Sequence, residues 1–292
     1  VRVFGKDIPR DLYINYNQKD YKMFADGNNH FNHTFRSPEE DVLFRVFSEN
    51  VYSDKYNLSV LPTPTLSEME IDVHPPKHTK LGKKKYKNIG VFTAPEGSEI
   101  YWSLKTENTE NVVFVIQDST FVIKPDTSGV CMIGRQIFQS SKYSISTSNS
   151  FLFFKDSLHY NIDVIKDEFP SISIEEIFDS ISPQKKLIRG VIQDDYGFSN
   201  LFFTTKITNP ENDTIINSVI KINYNSTNQT FLKALDLNKL PLEDGGKLEY
   251  FFTVYDNDKI NNYKKSKTKS IFFKNPTKKE TLNKLDKENE KI

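Results

Sequence analysis

The sequence predicts an all-β chain of tandem immunoglobulin-like β-sandwich units with a short charged C-terminal tail, read as a helix start or as disordered. Three observations point that way. Runs of β-branched and aromatic residues alternate with period two, as strands with one buried face require. Turn-forming clusters of Gly, Asn, Asp, Pro and Ser separate short strands at regular intervals, the spacing of a sandwich. Only 37% of residues are hydrophobic, yet Phe (23) and Tyr (14) are abundant, a stock suited to thin aromatic-faced cores.

The clearest stretch is Leu187 to Ile207. Ile188, Gly190 and Ile192 fall on one face of its first run, and Leu201, Phe203, Thr205 and Ile207 on one face of its second. Asp194-Asp195-Tyr196-Gly197 lies between, so the pair reads as antiparallel neighbours around an acidic turn. Lys247 to Lys259 repeats the grammar, an aromatic strand followed by Asp256-Asn257-Asp258.

In chain order, residues 1–63 read as a small sandwich, with Val1–Phe4, Tyr21–Phe24, Phe31–Phe35 and Val42–Phe47 among its strands. Pro62-Thr63-Pro64 is a stiff extended connector. Residues 64–168 form a second sandwich whose only Trp, Trp102, sits on a strand. Lys77 to Lys87 carries six lysines and reads as a solvated loop between strands. Residues 169–275 form a third sandwich, including Ser218–Tyr224 and Phe231–Leu235. The tail, 276–292, opens with a capping-box pattern, Thr277 to Glu280, and is read either as a helix start or as disordered.

Composition excludes several classes. The charge is balanced, 39 basic against 39 acidic residues, so no global field steers the chain to nucleic acid or lipid. One cysteine, Cys131, permits no internal disulfide and reads as a buried small hydrophobe. No run approaches the ~20 apolar residues that span a bilayer. A start in mid-strand and a charged end suggest a soluble segment of something longer.

These features resemble the Bacteroidetes envelope family catalogued as a domain of unknown function (DUF 4175). The matching pieces are Ile71-Asp72-Val73-His74-Pro75-Pro76, Ala94-Pro95-Glu96-Gly97-Ser98 leading into Trp102, and Tyr160 to Pro170. Arg189-Gly190 through Phe198 and Tyr255-Asp256-Asn257-Asp258 complete the set. Lys259 stands where the family has a glycine, and the Pro-x-Tyr-Thr-Gly-like piece reads Pro76-Lys77-His78-Thr79-Lys80. The resemblance implies a membrane-anchored protein with a β-rich extracytoplasmic region, and it brings no known activity.

No catalytic set emerges. There is no phosphate loop, HExxH or GxSxG, and no carboxylate pair is singled out for glycoside chemistry. A non-enzymatic chain without small-molecule cofactor is expected. His30 with His33, and His74 with His78, lie in turn-like contexts without a ligand set and read as solvated.

The acidic turns are the exception. In an immunoglobulin-like sandwich the loop after the second strand, the last hairpin and the chain entry share one end. Asp167, Asp194, Asp195, Asp256 and Asp258, with Glu168 and Asn257, would then meet at the junction of the second and third units, an oxygen-rich set suited to Ca²⁺. The competing reading is Asx-turn chemistry, with Arg189, Lys166, Lys259 or Lys264 neutralising the charge.

Four Asp-Ser/Thr-aliphatic or -Thr triplets, at Asp118, Asp156, Asp179 and Asp213, fit a bacterial O-glycosylation pattern and agree with export. The expected function is non-catalytic: modules of a membrane-anchored cell-envelope protein that space and dock an assembly outside the cytoplasm. The implied partners are an envelope protein and the rest of the chain in the membrane, with no nucleic acid. A calcium-stiffened adhesive or glycan- or peptidoglycan-binding array is the alternative.

Overall fold

The computed structural model describes residues 1–153, 157–177 and 184–280. The first stretch of chain holds β1 (Tyr13–Tyr16), β2 (Lys19–Lys22), β3 (Phe24–Gly27), β4 (His30–Asn32), β5 (Val42–Ser48), β6 (Val51–Tyr52) and β7 (Tyr56–Leu58). The second holds β8 (Thr65–His74), β9 (Lys84–Lys87), β10 (Phe92–Pro95), β11 (Ser98–Glu107) and β12 (Asn111–Ile116). It continues with β13 (Ser119–Ile123), β14 (Val130–Ile137), β15 (Ser141–Ser148) and β16 (Ser157–Ile165). The third begins with β17 (Ser171–Ile177), β18 (Lys185–Gln193), β19 (Phe198–Thr208) and β20 (Asp213–Val219). It ends with β21 (Asn228–Asp236), β22 (Lys247–Asp256), β23 (Lys265–Lys267) and β24 (Ile271–Lys274).

Each stretch has its own cluster of buried side chains, and we call them the first, second and third units. The third is an immunoglobulin-like sandwich by strand order. Its first, second and fifth strands form the sheet β17-β18-β21, and its third, fourth and sixth form β20-β19-β22. The seventh is broken into β23 and β24, both paired to β22. The second unit follows the same plan. The sheet β14-β11-β8-β9 faces β10-β16-β15-β12-β13, with β10 running parallel to the last strand, β16. Trp102 lies wholly buried between these sheets, edge-on to Phe114 and Tyr143 at 5.0 and 5.5 Å. Cys131 is buried beside it, its thiol pushed up to about 11 by loss of solvent.

The first unit is built differently. One sheet, β2-β1-β5 with β6 and β7 on the far side of β5, is joined by the small hairpin β3-β4 rather than by a second full sheet. Val1–Phe4, expected as a strand, contributes only a single bridge, Arg2 to His30. Asn149 Nδ2 donates to the Pro62 and Asn108 carbonyls, and Thr147 Oγ1 to the Pro64 carbonyl, so the proline connector is fastened to the second unit.

Three local expectations change. Leu187–Gln193 and Asn200–Ile207 do form strands, but β18 and β19 belong to opposite sheets. Their apolar faces meet across the core, and Asp194–Gly197 crosses the sandwich instead of closing a hairpin. Period-two alternation marks a buried face without saying whether two strands lie side by side or face to face. The strand expected over Ser218–Tyr224 lies earlier, at Asp213–Val219, and Ile222 reaches the core from irregular backbone. Part of the lysine insert is strand β9, where Lys85 pairs with Asp72 at 3.3 Å and Lys87 with Glu68 at 2.9 Å.

The capping box at the tail is formed, Thr277 N donating to Glu280 Oε2 and Glu280 N to Thr277 Oγ1. Leu282, Leu285 and Ile292 lie outside the described residues, as do Asp156 and Asp179-Ser180-Ile181.

Gly190 on β18 lets the outer edge of the Phe231 ring come against the backbone: a Cβ there would stand 2.2 Å from Phe231 Cζ. Gly190→Ala is therefore expected to cost about 1–3 kcal/mol by overpacking, read as a lower midpoint in denaturant unfolding. An unchanged midpoint would show that the ring has room to move.

Candidate functional site

The three acidic segments meet at the joint between the second and third units. Asp167 comes from the linker after β16, Asp194 and Asp195 from the β18–β19 crossing, and Asp256 and Asp258 from the end of β22 and the loop after it. At their centre stands one ammonium. Lys264 Nζ bonds Asp167 Oδ1 and lies 3.3 Å from Asp258 Oδ2 and 3.5 Å from Asp256 Oδ2. All four side chains are 10% exposed or less.

The second unit contributes His78, from the 3-10 turn Lys77–Thr79. Its Nε2 lies 2.9 Å from Asp167 Oδ2 and its Nδ1 3.6 Å from Asp258 Oδ1. The expectation that His78 is solvated is thereby corrected: only 9% of the side chain is exposed. The turn supporting it ends at Lys80, which takes the left-handed conformation (φ +57°). In the loop after β22, Asn262 and Tyr263 also carry positive φ, whereas Lys259 does not.

Neutral contacts cross the same joint. Asn257 Nδ2 donates to the His78 carbonyl of the second unit and to the Tyr196 carbonyl of the third. Ile260 packs over Gly97, where a Cβ would meet Ile260 Cδ1 at 3.1 Å and the φ of +78° already favours glycine. Glu96 accepts from Lys166 Nζ and from the Asp167 N–H, fixing the linker against the second unit.

The carboxylates proposed for Ca²⁺ therefore divide. Asp167, Asp256 and Asp258 face Lys264. Asp194 Oδ2 accepts from the Tyr196 and Gly197 N–H groups, and Asp195 Oδ2 from that of Glu168. Asp258 also accepts from Ile260 N and Asn261 Nδ2, an Asx turn that doubles as an ion-pair partner. Ligand-capable atoms of His78, Asp167 and Asp258 lie within 4.8 Å of one another, close enough to share an ion. The Lys264 ammonium is bound to oxygens of two of these residues, Asp167 and Asp258. Of the other cations considered, Arg189 lies 3.5 Å from Glu175 and Lys166 2.8 Å from Glu96, away from this centre.

One ammonium against several buried carboxylates shapes the acid–base behaviour. Burial pushes Asp256 from 3.8 up to about 6; its Oδ2 accepts no hydrogen bond, the Lys264 ammonium standing 3.5 Å away. Burial also raises Asp194 and Asp195. For His78, burial pulls downward but the Asp167 hydrogen bond and the charge of Asp258 outweigh it, leaving the imidazole raised. Asp258 moves the other way: hydrogen bonds from Asn261 and the charge of His78 overcome burial and lower it. Lys264 is raised by the same carboxylates despite burial.

No protein-family model matches the chain, and no curated protein matches it. Among solved structures it is similar to chicken CNTN1 FN1–FN3 domains (8% identity, 91% of this chain and 89% of that one, TM-score 0.25). It is similar to Clostridium thermocellum CbhA fibronectin(III)-like modules (12% identity, 65% and 91%, TM-score 0.22). A third is a putative carbohydrate binding protein from Bacteroides uniformis (8% identity, 57% and 89%, TM-score 0.25). At these scores nothing about ligands or partners passes from those proteins to this chain. The tandem immunoglobulin-like sandwich class rests on the strand order above.

Two outcomes follow. Asp256, whose pKa rises on folding, takes up a proton between pH ~4 and ~6, so stability falls as pH rises through that window. His78, raised above 6.5, adds a further loss as pH climbs through its folded value, whereas lowered Asp258 weakens the fold only below 3.8. Thermal stability should therefore be higher near pH 5 than at pH 8. Asp256→Asn, which removes the charge and keeps the shape, should stabilise by ~1–3 kcal/mol at pH 8 and flatten the profile; a destabilised variant would reverse this assignment. Second, millimolar Ca²⁺ should leave the melting temperature of the native chain unchanged, because Lys264 fills the carboxylate set. Lys264→Gln should be destabilised by roughly 3–5 kcal/mol and recover part of that loss on adding Ca²⁺. A calcium-dependent rise in the unsubstituted chain would contradict the ammonium's role.

Proposed function

We propose that this chain is a non-catalytic run of β-sandwich modules that holds a larger envelope assembly at a set spacing and angle and offers surfaces for docking. The observation that carries the reading is the sealed joint between the second and third units. Interfaces between domains of one chain are ordinarily modest and mobile. Here three carboxylates, an ammonium and an imidazole are withdrawn from water, and a side-chain amide bonds both units at once. Buried pairs of this kind add little net stability, but breaking them is expensive. They suit a part whose task is to keep one orientation.

Docking would use sheet edges. β20 is a seven-residue edge strand with Ile215 and Val219 each more than 60% exposed. Free edges of this kind accept an added strand from a partner. In the setting suggested by the family resemblance, the modules lie outside the cytoplasm, tethered through the rest of the chain to the inner membrane. Among the described residues no helix is long and apolar enough to cross a membrane.

Spin labels placed at exposed Met132→Cys and Leu232→Cys, in a Cys131→Ala background, test the set angle by pulsed electron resonance. A single narrow distance distribution is expected, broadening in Asn257→Ala combined with Lys264→Met. A broad distribution in the parent would remove the rigid spacer from consideration.

A further inference from the structure

The first unit carries a feature that the spacing role leaves unused. A cleft of about 860 Å³ runs along the edge of its sheet, within the size range of small-molecule sites. One wall is a packed group of half-buried rings. Tyr16 stacks on Tyr21 at 4.6 Å and touches His33 and Phe35 at 5.5 and 5.0 Å, while His33 meets Phe35 edge-on at 5.1 Å. His33 Nε2 is hydrogen-bonded to the Tyr16 hydroxyl at 3.2 Å, so the rings hold one another in place. At the mouth stands Phe24, 79% exposed, an aromatic side chain in water with nothing of its own fold to cover it.

The segment 36–41 also lines the cleft. Two charged groups of the cleft are committed elsewhere: Lys22 pairs with Asp11 at 2.7 Å, and Asp41 accepts from Val60 N and Asn57 Nδ2. Arg36, Glu39 and Glu40 make no ion pair or side-chain hydrogen bond among the described residues. The cleft is therefore lined both by half-buried rings and by unengaged groups of both signs.

We infer that this cleft binds a neutral oligosaccharide. The ligand must bring an apolar face to the rings and hydroxyl donors to Glu39 and Glu40, which can only accept. It must also bring acceptors to Arg36, a donor-only fork suited to paired oxygens. A sugar ring has both, since its C–H face is apolar and its edge carries vicinal hydroxyls that donate and accept. Opposing charges in the cleft disfavour a strongly anionic or cationic ligand. A proline-rich peptide, the other habitual occupant of aromatic grooves, has carbonyl acceptors but few N–H donors, and leaves the two carboxylates unmet.

The inference is independent of the joint between the second and third units, and the test reads the cleft alone. The full chain is titrated calorimetrically with cellotetraose, maltotetraose and chitotetraose, and with a proline decapeptide. At least one tetrasaccharide is expected to bind with a dissociation constant on the order of 0.1–1 mM, the weak range of a single open cleft. Phe24→Ala, at an exposed position, should weaken it at least tenfold, and Glu39→Gln with Glu40→Gln several-fold, with melting temperatures unchanged. Failure of all three sugars at ~10 mM, ten times the weakest expected constant, would overturn the inference. So would binding of the peptide alone, or sugar binding that ignores both sets of substitutions.

Discussion

One ammonium among buried carboxylates sets the geometry of half the molecule. Lys264 can reach Asp167, Asp256 and Asp258 together only if the linker, the end of β22 and the loop after it converge, and they do so against the second unit's His78. The surrounding backbone is bent to that end. Lys80 accepts a left-handed conformation disfavoured for a side chain, Gly97 is left bare so that Ile260 can close over it, and Asn257 spends its amide on two carbonyls from different units. Each of these is a local cost or restriction with a common beneficiary, the fixed relation of two sandwiches.

The balance of charge explains why the joint is tuned rather than simply strong. A single lysine and an imidazole face more carboxylates than they can neutralise, and Asp256, the most enclosed, retains a proton to unusually high pH. Replacing such a network by apolar side chains often improves stability. Its retention fits a requirement for one arrangement, because hydrogen-bonded charges tolerate displacement far less than interchangeable methyl groups do. The connection between the first and second units works by neutral means, with Asn149 and Thr147 gripping carbonyls of a proline connector.

Much of the sandwich architecture was legible because a strand's alternation is a direct record of which face meets the core. Ile188, Gly190 and Ile192, and Leu201, Phe203, Thr205 and Ile207, are buried as their spacing implies. Partnership was less legible. β18 and β19 face one another across the core, and period two is the same for face-to-face as for side-by-side strands. Convergence of the acidic turns was readable from the loop order of the fold. The role of His78 was not, because it acts through Asp167, 89 positions away; Lys264 was one of four cations offered as counter-charge, and spacing alone could not choose it, since its partner Asp167 lies 97 positions away. The cleft on the first unit had no sequence signature at all, since Tyr16, Tyr21, His33 and Phe35 come from separate strands and turns.

The central claim is that the second and third units move as one body, locked through Lys264. Residual dipolar couplings of backbone amides in a weakly aligned sample address it without altering a residue. A single alignment tensor that fits the amides of both units, with common principal axes and magnitude, is the predicted result. Two tensors of different magnitude, one for each unit, would mean that the buried network does not fix the joint.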